Sequence, residues 1–287
     1  MWKRYRRRAN FVVDRWFRIE KHLFSSAGFV YRCYLPVLDF LRSLVSPRLR
    51  RLHRRLRQHL VEQEKAWPGR YSGGYFYQGL DQIGITGVKP TEFRFRQYDI
   101  DGLLDRNARV LDVGSNCGFV AIYCAQRVKQ VDAVELNPYL NRIAAEAAAY
   151  LGVRNLNIHE QDFTTYDSRT TYDIVLSFSN HHTIDGNLSM GFDRYIEKLQ
   201  RLLRDGGYLL FESHNVFGPG NGGAGDDGDM DAKVAIMNRH FDILRYRMVE
   251  CYLPPLDIDK LFIVARKANM PRQTDFALTH ARSRYHY

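Results

Sequence analysis

From residue 108 to residue 266 the chain alternates short apolar runs with longer amphipathic stretches. That alternation restricts the available folds more than any other feature. The runs at 108–113, 130–135, 155–160, 172–178, 207–213, 241–249 and 260–266 have the length and β-branched content of strands. Helices are expected near 118–127, 138–151, 190–204 and 231–239. Strands separated by helices pair in parallel, with helices on both faces of the sheet. The last two runs are joined only by CYLPPLDIDK (251–260), which predicts an antiparallel hairpin at the sheet edge. TEFRFRQYDIDGLL (91–104) reads as a leading helix with Thr91 as its N-cap. The fold class is α/β, a mostly parallel seven-stranded sheet with an antiparallel C-terminal edge hairpin.

Charge separates an appendage from this body. The formal net charge is +10, yet residues 1–60 hold 16 Lys/Arg against three Asp/Glu, leaving −3 for residues 61–287. A uniformly basic catalytic face, common in nucleic-acid enzymes, is therefore not implied. In residues 1–24, Trp2, Tyr5, Ala9, Val12, Trp16, Ile19 and Leu23 recur at helical steps, with arginines over much of the remainder. PRLRRLHRRLRQHL (47–60) repeats the theme with Leu49, Leu52, Leu56 and Leu60 on one face. Such helices suit an anionic membrane surface, an RNA backbone, or packing on the body. The organisation expected is a basic amphipathic helical extension (1–66), a Gly/Tyr-rich linker or lid (67–90), the main domain (91–267) and a polar, fraying tail (268–287). No run has the length of a membrane span and no signal peptide is apparent. Cys33, Cys117, Cys124 and Cys251 form no CxxC pair. That pattern points to a reducing cytoplasm, with the basic arm favouring the inner membrane face.

The first strand and its turn read ARVLDVGSNCGFVAIYCAQ (108–126). Asp112 ends the strand, and Gly114 and Gly118 bracket the turn into a helix. The dinucleotide fingerprint GxGxxG is absent, and an acid at this place repels a pyrophosphate but suits an amine. The second strand ends in Glu135, 21 residues after Gly114, where a carboxylate accepts the hydroxyls of a ribose. The third leads to HEQDF (159–163), where Asp162 is placed to accept from an adenine amine and Phe163 to lie against the ring.

In this order, VLDVGSNCG, VELN, EQDF, DIVLSFS and LLRDGGYLLFE resemble the class I S-adenosylmethionine-dependent methyltransferases over residues 91–266. The resemblance implies a Rossmann-like fold and S-adenosyl-L-methionine as cofactor. It assigns Asp112 and Gly114 to the methionine part, Glu135 to the ribose and Asp162 to adenine. Ser115, Asn116, Gly118, Leu136, Phe163 and Ser177 complete the implied cofactor-binding set. Asn116 stands where the family often has glycine, and asparagine tolerates unusual backbone angles.

The fourth strand runs out into SNHHT (179–183), on the substrate side of such a site. The Asn/Asp-Pro-Pro-aromatic motif of base methylation is missing. A neutral imidazole near its reference pKa suits proton removal from a hydroxyl, so His182 or His181 is the candidate base for an O-methylation. The alternative is that one histidine packs on the cofactor while the other caps a helix or faces water. His159, His181, His182 and His214 match no metal signature. GAGDDGDMDAK (223–233) is calcium-like only superficially, having Ala232 and Asn238 where glycine and glutamate are expected, and reads as a lid that N-caps the next helix. The substrate expected first is a hydroxyl or phosphate of a sugar, glycan or lipid-linked molecule near the membrane. RNA gripped by residues 1–60 is the second expectation, and a non-catalytic binding protein of the same fold the third.

Overall fold

Apolar runs without polar alternation must be covered on both faces, and the central strands obey this rule. The computed structural model describes residues 33–67, 75–180, 190–213, 229–252 and 259–278. The basic stretch 1–24, His181 and His182, His214 and the lid residues 223–228 lie outside them. Two short parallel strands, β1 (Gln78–Gly79) and β2 (Lys89–Pro90), precede the main sheet. The sheet holds β3 (Arg109–Val113), β4 (Gln130–Glu135), β5 (Leu156–Glu160), β6 (Tyr172–Phe178), β7 (Leu203–Glu212), β8 (Phe241–Glu250) and β9 (Asp259–Lys267). Its order is β5-β4-β3-β6-β7-β9-β8. The chain passes β7, travels to the edge as β8, and returns as β9, which inserts antiparallel between β7 and β8. The expected hairpin is present, with its second strand inside the sheet.

Helices α1 (33–43), α2 (Pro47–Ala66), α3 (Thr91–Tyr98), α4 (Phe119–Ala125), α5 (Pro138–Leu151), α6 (Phe192–Leu202) and α7 (Met230–Met237) complete the described elements. One face of the sheet is covered by α3 and α4 through Phe95, Tyr98, Val120 and Cys124. The other is covered by α6 and α7 through Tyr195, Ile196, Leu199 and Val234. Asp229 caps α7, its Oδ1 accepting from the Ala232 amide at 3.1 Å.

Of the three readings of the basic helices, packing on the body is the one α2 takes, and three other expectations need correction. The leucine face of α2 is not a free surface: Leu49, Leu52, Leu56 and Leu60 are buried with Phe76, Phe119, Leu140 and Ile143, so the helix packs on α5. Ser46 and Pro47 start that helix, the serine Oγ accepting from the Leu49 amide at 3.0 Å. Thr91 is the first residue of α3, not its cap. Pro90 holds the cap position, and no side chain caps there. That helix stops at Tyr98 because Asp99 turns left-handed (φ 51°), and a short 3-10 turn follows at Asp101–Leu103. Finally, residues 268–278 do not fray. Phe276 packs edge-on against Tyr246 at 4.9 Å, and Asn238 Nδ2 donates to the Thr274 carbonyl at 3.2 Å.

Because Leu56 is fully buried beneath α2, Leu56→Ala should lower the unfolding free energy by about 2–5 kcal/mol, read by urea denaturation. A change near zero would mean that α2 does not pack on the body.

Candidate active site

Strand register assembles the site. Val113 lies opposite Val134 on β4 and Ser177 on β6, and Phe178 lies opposite Glu212 on β7. Gly114, Glu135, Phe178 and Glu212 therefore reach the carboxyl edge of the sheet together, where ligands bind in open α/β sheets. The chain leaves β3 through a tight turn in which the Gly114 and Ser115 amides both donate to the Val134 carbonyl at 2.9 and 3.1 Å. Gly114, Asn116 and Gly118 all have positive φ (65°, 57° and 68°). A Cβ on Gly118 would stand 2.5 Å from that of Ala144, so only glycine lets α4 start against α5. On Gly114 it would stand 3.0 Å from the Asn180 Cβ.

This turn holds polar groups that the fold does not use. Asp112 is 3% exposed, and its Oδ2 has no hydrogen-bond partner among the described residues. The same is true of Ser115 Oγ and of both side-chain polar atoms of Asn116. Burial pushes the Asp112 carboxyl up to about 7, against a smaller downward pull from the Arg94 guanidinium. Buried polar atoms normally find partners, so a cluster of orphans at a strand edge is shaped for a ligand. Glu135 is different. Its Oε2 accepts from the Asn116 amide (2.9 Å) and its Oε1 from the Asn137 amide (2.8 Å).

A narrow cleft opens beside the turn, lined by Asp112, Gly114, Asn116 and Val120 and by Tyr77, Gln78, Lys89, Arg94 and Phe178. The second group comes from the strap 75–90, from α3 and from the end of β6. Gln78 fastens the strap to the turn: its Nε2 donates to the Ser115 carbonyl (3.1 Å) and its Oε1 accepts from the Phe119 amide (3.0 Å). Lys89 and Arg94 are held by Glu212, which is fully buried. Glu212 Oε1 accepts from Lys89 Nζ at 3.0 Å and from Ser179 Oγ, while Oε2 accepts from Arg94 Nη2 at 3.1 Å, from the Tyr98 hydroxyl and from Cys251 Sγ at 3.0 Å. Burial alone would raise the Glu212 carboxyl, but Arg94 and Lys89 hold it well below the usual carboxylate range.

The structure brings Asp112, Gly114 and Asn116 into the cleft wall, with Ser115 and Gly118 in the same turn and Glu135 behind it. Leu136 follows Glu135, half-buried. Other residues are engaged elsewhere. Asp162 Oδ1 accepts from the Thr164 amide at 2.7 Å. Phe163 is 4% exposed and packs against Tyr166 and Tyr195 at 6.3 and 5.7 Å between ring centres. Ser177 Oγ donates to Asn180 Oδ1 at 2.9 Å and lies 2.8 Å from the Tyr195 hydroxyl. His181 and His182, the candidate bases, lie outside the described residues. Tyr77, Gln78, Lys89, Arg94 and Phe178 were absent from the sequence-derived set. Tyr77, Gln78 and Lys89 belong to the Gly/Tyr-rich stretch 67–90 read as a linker or lid, whose aromatic run Tyr75-Phe76-Tyr77 was the sequence signal for a ligand contact.

Two variants separate the carboxylates. Asp112 binds a proton in the fold between pH 4 and 7 that the unfolded chain has released, so its burial costs stability increasingly as pH rises to 7 and no more above. Asp112→Asn should remove that slope, stabilising the protein without added ligand at pH 8 by up to about 4 kcal/mol relative to pH 4. pH-independent behaviour of the difference in urea titrations would contradict it. Glu212→Gln has the opposite sign and should cost about 3–5 kcal/mol at pH 7, because Lys89 and Arg94 lose a buried counterion. A variant as stable as the wild type would refute the ion cluster.

Residues 93–262, more than half of the chain, match the family model described as a methyltransferase domain. An uncharacterised protein of Methanocaldococcus jannaschii is 32% identical over 78 residues, covering 27% of this chain and 30% of that protein. A tRNA1(Val) (adenine(37)-N6)-methyltransferase of Pseudoalteromonas translucida is 27% identical over 95 residues, covering 31% of this chain and 41% of that protein. The chain thus spans less than half the length of either curated relative. The structure of the N-methyltransferase NodS from Bradyrhizobium japonicum WM9 in complex with S-adenosyl-L-homocysteine superposes with a TM-score of 0.51 at 15% identity, over 75% of this chain and 100% of that one. At that identity the likeness concerns the fold. With the sheet order and the turn after β3, the family match settles membership: the chain belongs to the class I S-adenosylmethionine-dependent methyltransferases.

Proposed function

We propose that this chain methylates an oxygen, a hydroxyl or phosphate of a sugar, glycan or lipid-linked acceptor, at the inner face of a membrane. The observation that carries the reading is the cleft itself, where orphaned cofactor-type groups stand opposite two buried cations and two aromatic rings. S-adenosylmethionine, when bound, supplies a methyl group activated by its sulfonium sulfur. The residues present fit it. Asp112 Oδ2, Ser115 Oγ and the Asn116 side chain (Oδ1 and Nδ2) are the buried groups without a hydrogen-bond partner among the described residues that would hold its amino-acid end. An ammonium beside Asp112 draws that carboxyl back to its ionised form. Glu135 would hold the ribose, its carboxylate being fixed at the end of β4 by the Asn116 and Asn137 backbone amides.

The acceptor is read as an oxygen from the missing Asn/Asp-Pro-Pro-aromatic motif and from the two histidines that follow β6. Asn180, just beyond β6, spends its side chain on the fold. Its Oδ1 accepts from Ser177 and Tyr195 at 2.9 Å each, and its Nδ2 donates to the Val113 carbonyl. Lys89 and Arg94 share one carboxylate, Glu212, so their cluster keeps a positive charge toward the cleft, suited to a phosphate or a polyhydroxyl group. Alignment in a confined cleft supplies most of the acceleration in such a transfer. Proton removal falls to His182 or His181, with Tyr77 as the acidified group in the cleft wall. Burial works against ionising Tyr77, but Lys89 and Lys260 pull its phenol below the ordinary range.

RNA methylation is the second reading, favoured by the name of the Pseudoalteromonas relative. Methyl transfer from labelled S-adenosylmethionine into cell extract, resolved into RNA, lipid, polysaccharide and small-molecule pools, decides between them. Label is expected in the lipid or polysaccharide pool, whereas label in RNA alone would replace the first reading with the second. With the labelled pool as substrate, loss of the true base among His181→Ala, His182→Ala and Tyr77→Phe should lower turnover by roughly 10²-fold with cofactor binding retained. Normal turnover in all three would eliminate side-chain base catalysis by these groups.

A further inference from the structure

Helix α1 exposes more of its large apolar side chains than it buries. Its inner side carries Leu35, Asp39 and Ser43, all buried. Asp39 Oδ1 accepts from the Thr86 amide at 2.9 Å, and Ser43 Oγ donates to the Phe40 carbonyl at 2.6 Å. Its outer side is apolar. Tyr34, Val37, Phe40 and Leu41 on the helix, with Leu44 and Val45 in the turn after it, fall on one face and are 43–84% exposed. An exposed apolar patch of this continuity marks a contact surface.

The charge beside the patch identifies the partner. Arg57 of α2 reaches α1, its Nη2 donating to the Pro36 carbonyl at 3.0 Å and lying 3.7 Å from Asp39. The α2 face that bears Arg57 therefore borders α1. Arg50 and Arg54 lie on that same face by helical spacing, are exposed, and form no ion pair among the described residues. The chain leading into α1 adds nine Lys/Arg against two Asp/Glu in residues 1–32. Apolar and aromatic side chains flanked by unpaired arginines complement an anionic bilayer, whose interface takes the first and whose phosphates take the second. No helix among the described residues is long and apolar enough to cross a membrane, so the contact is one that lies on the surface.

We propose that the 34–45 face, with Arg50 and Arg54, is the docking surface of this protein for an anionic lipid bilayer. It names the partner in the membrane-side reading given above and rests on that reading for its purpose. Its test involves neither cofactor nor acceptor. The full chain is floated with phosphatidylcholine vesicles, with and without phosphatidylglycerol. The wild type should float with the anionic vesicles. Val37→Asp/Leu41→Asp, both at exposed positions, should retain the wild-type melting temperature and bind about tenfold less. Arg50→Glu/Arg54→Glu should bind anionic vesicles at least about tenfold less and lose the preference for them. Failure of the wild type to float, or flotation of the Val37→Asp/Leu41→Asp variant equal to wild type, overturns the proposal. So does a wild type that self-associates or binds homopolymer RNA through this face but ignores vesicles. Label entering lipid without flotation would sink the docking surface and spare the proposed reaction. Flotation with label entering RNA alone would do the reverse.

Discussion

One buried carboxylate ties the molecule together. Glu212 receives Lys89 from β2, Arg94 and Tyr98 from α3, Ser179 from the end of β6 and Cys251 from the end of β8. These donors come from segments that share no local sequence. An ionised group without water needs opposite charge and hydrogen bonds on its remaining lone pairs, and only one arrangement of strap, helix and sheet supplies them all. Such a cluster adds little net stability over an apolar core but penalises every mispacking heavily. Tyr98 extends it by stacking on Phe262 of β9 at 4.2 Å. The inserted strand, the leading helix and the strap are thereby registered on the same carboxylate.

Asp112 stands two strands away in the opposite condition. Glu212 is saturated with donors, whereas Asp112 keeps an orphaned oxygen and a carboxyl displaced to about 7. The fold tolerates one carboxylate by compensating it fully and leaves the other to be compensated by a ligand. Local violations of polar satisfaction concentrate at functional sites for this reason. Arg94 belongs to both environments, since it binds Glu212 and lines the cleft with Asp112.

The sheet was legible because period and run length report burial directly, and seven runs with four intervening helical patterns leave few topologies. Residues whose position follows from a strand end, such as Asp112, Gly114 and Asn116, stand in the cleft wall for the same reason. Side chains whose role depends on rotamer and neighbours were not legible. Nothing in Phe163 or Ser177 as residue types says that one packs on Tyr195 and the other bonds to it. Amphipathicity in α2 revealed an apolar face but not its cover, which is α5. In α1 most of the large apolar residues face outward, while Asp39 is held inward by the Thr86 amide and Arg57 beside Leu35. Lys89 and Arg94 reach the cleft through Glu212, a pairing across 123 and 118 residues that no local pattern encodes.

The strap 75–90 joins these parts into one argument. Asp39 of α1 holds it through the Thr86 amide, and Leu35 of α1 shares an apolar cluster with Val88. Gln78 pins its other limb to the turn after β3, and Lys89 pins its end to Glu212. Tyr77, Gln78 and Lys89 of the same strap line the cleft. The outer helix α1 and the cleft wall are thus both in contact with a single segment that is fixed at both ends. Asp39 and Leu35 take up the inner side of α1 against the strap, and Tyr34, Val37, Phe40 and Leu41 are left on the outer side. The contact that anchors the strap and the apolar surface that faces outward are two sides of one helix.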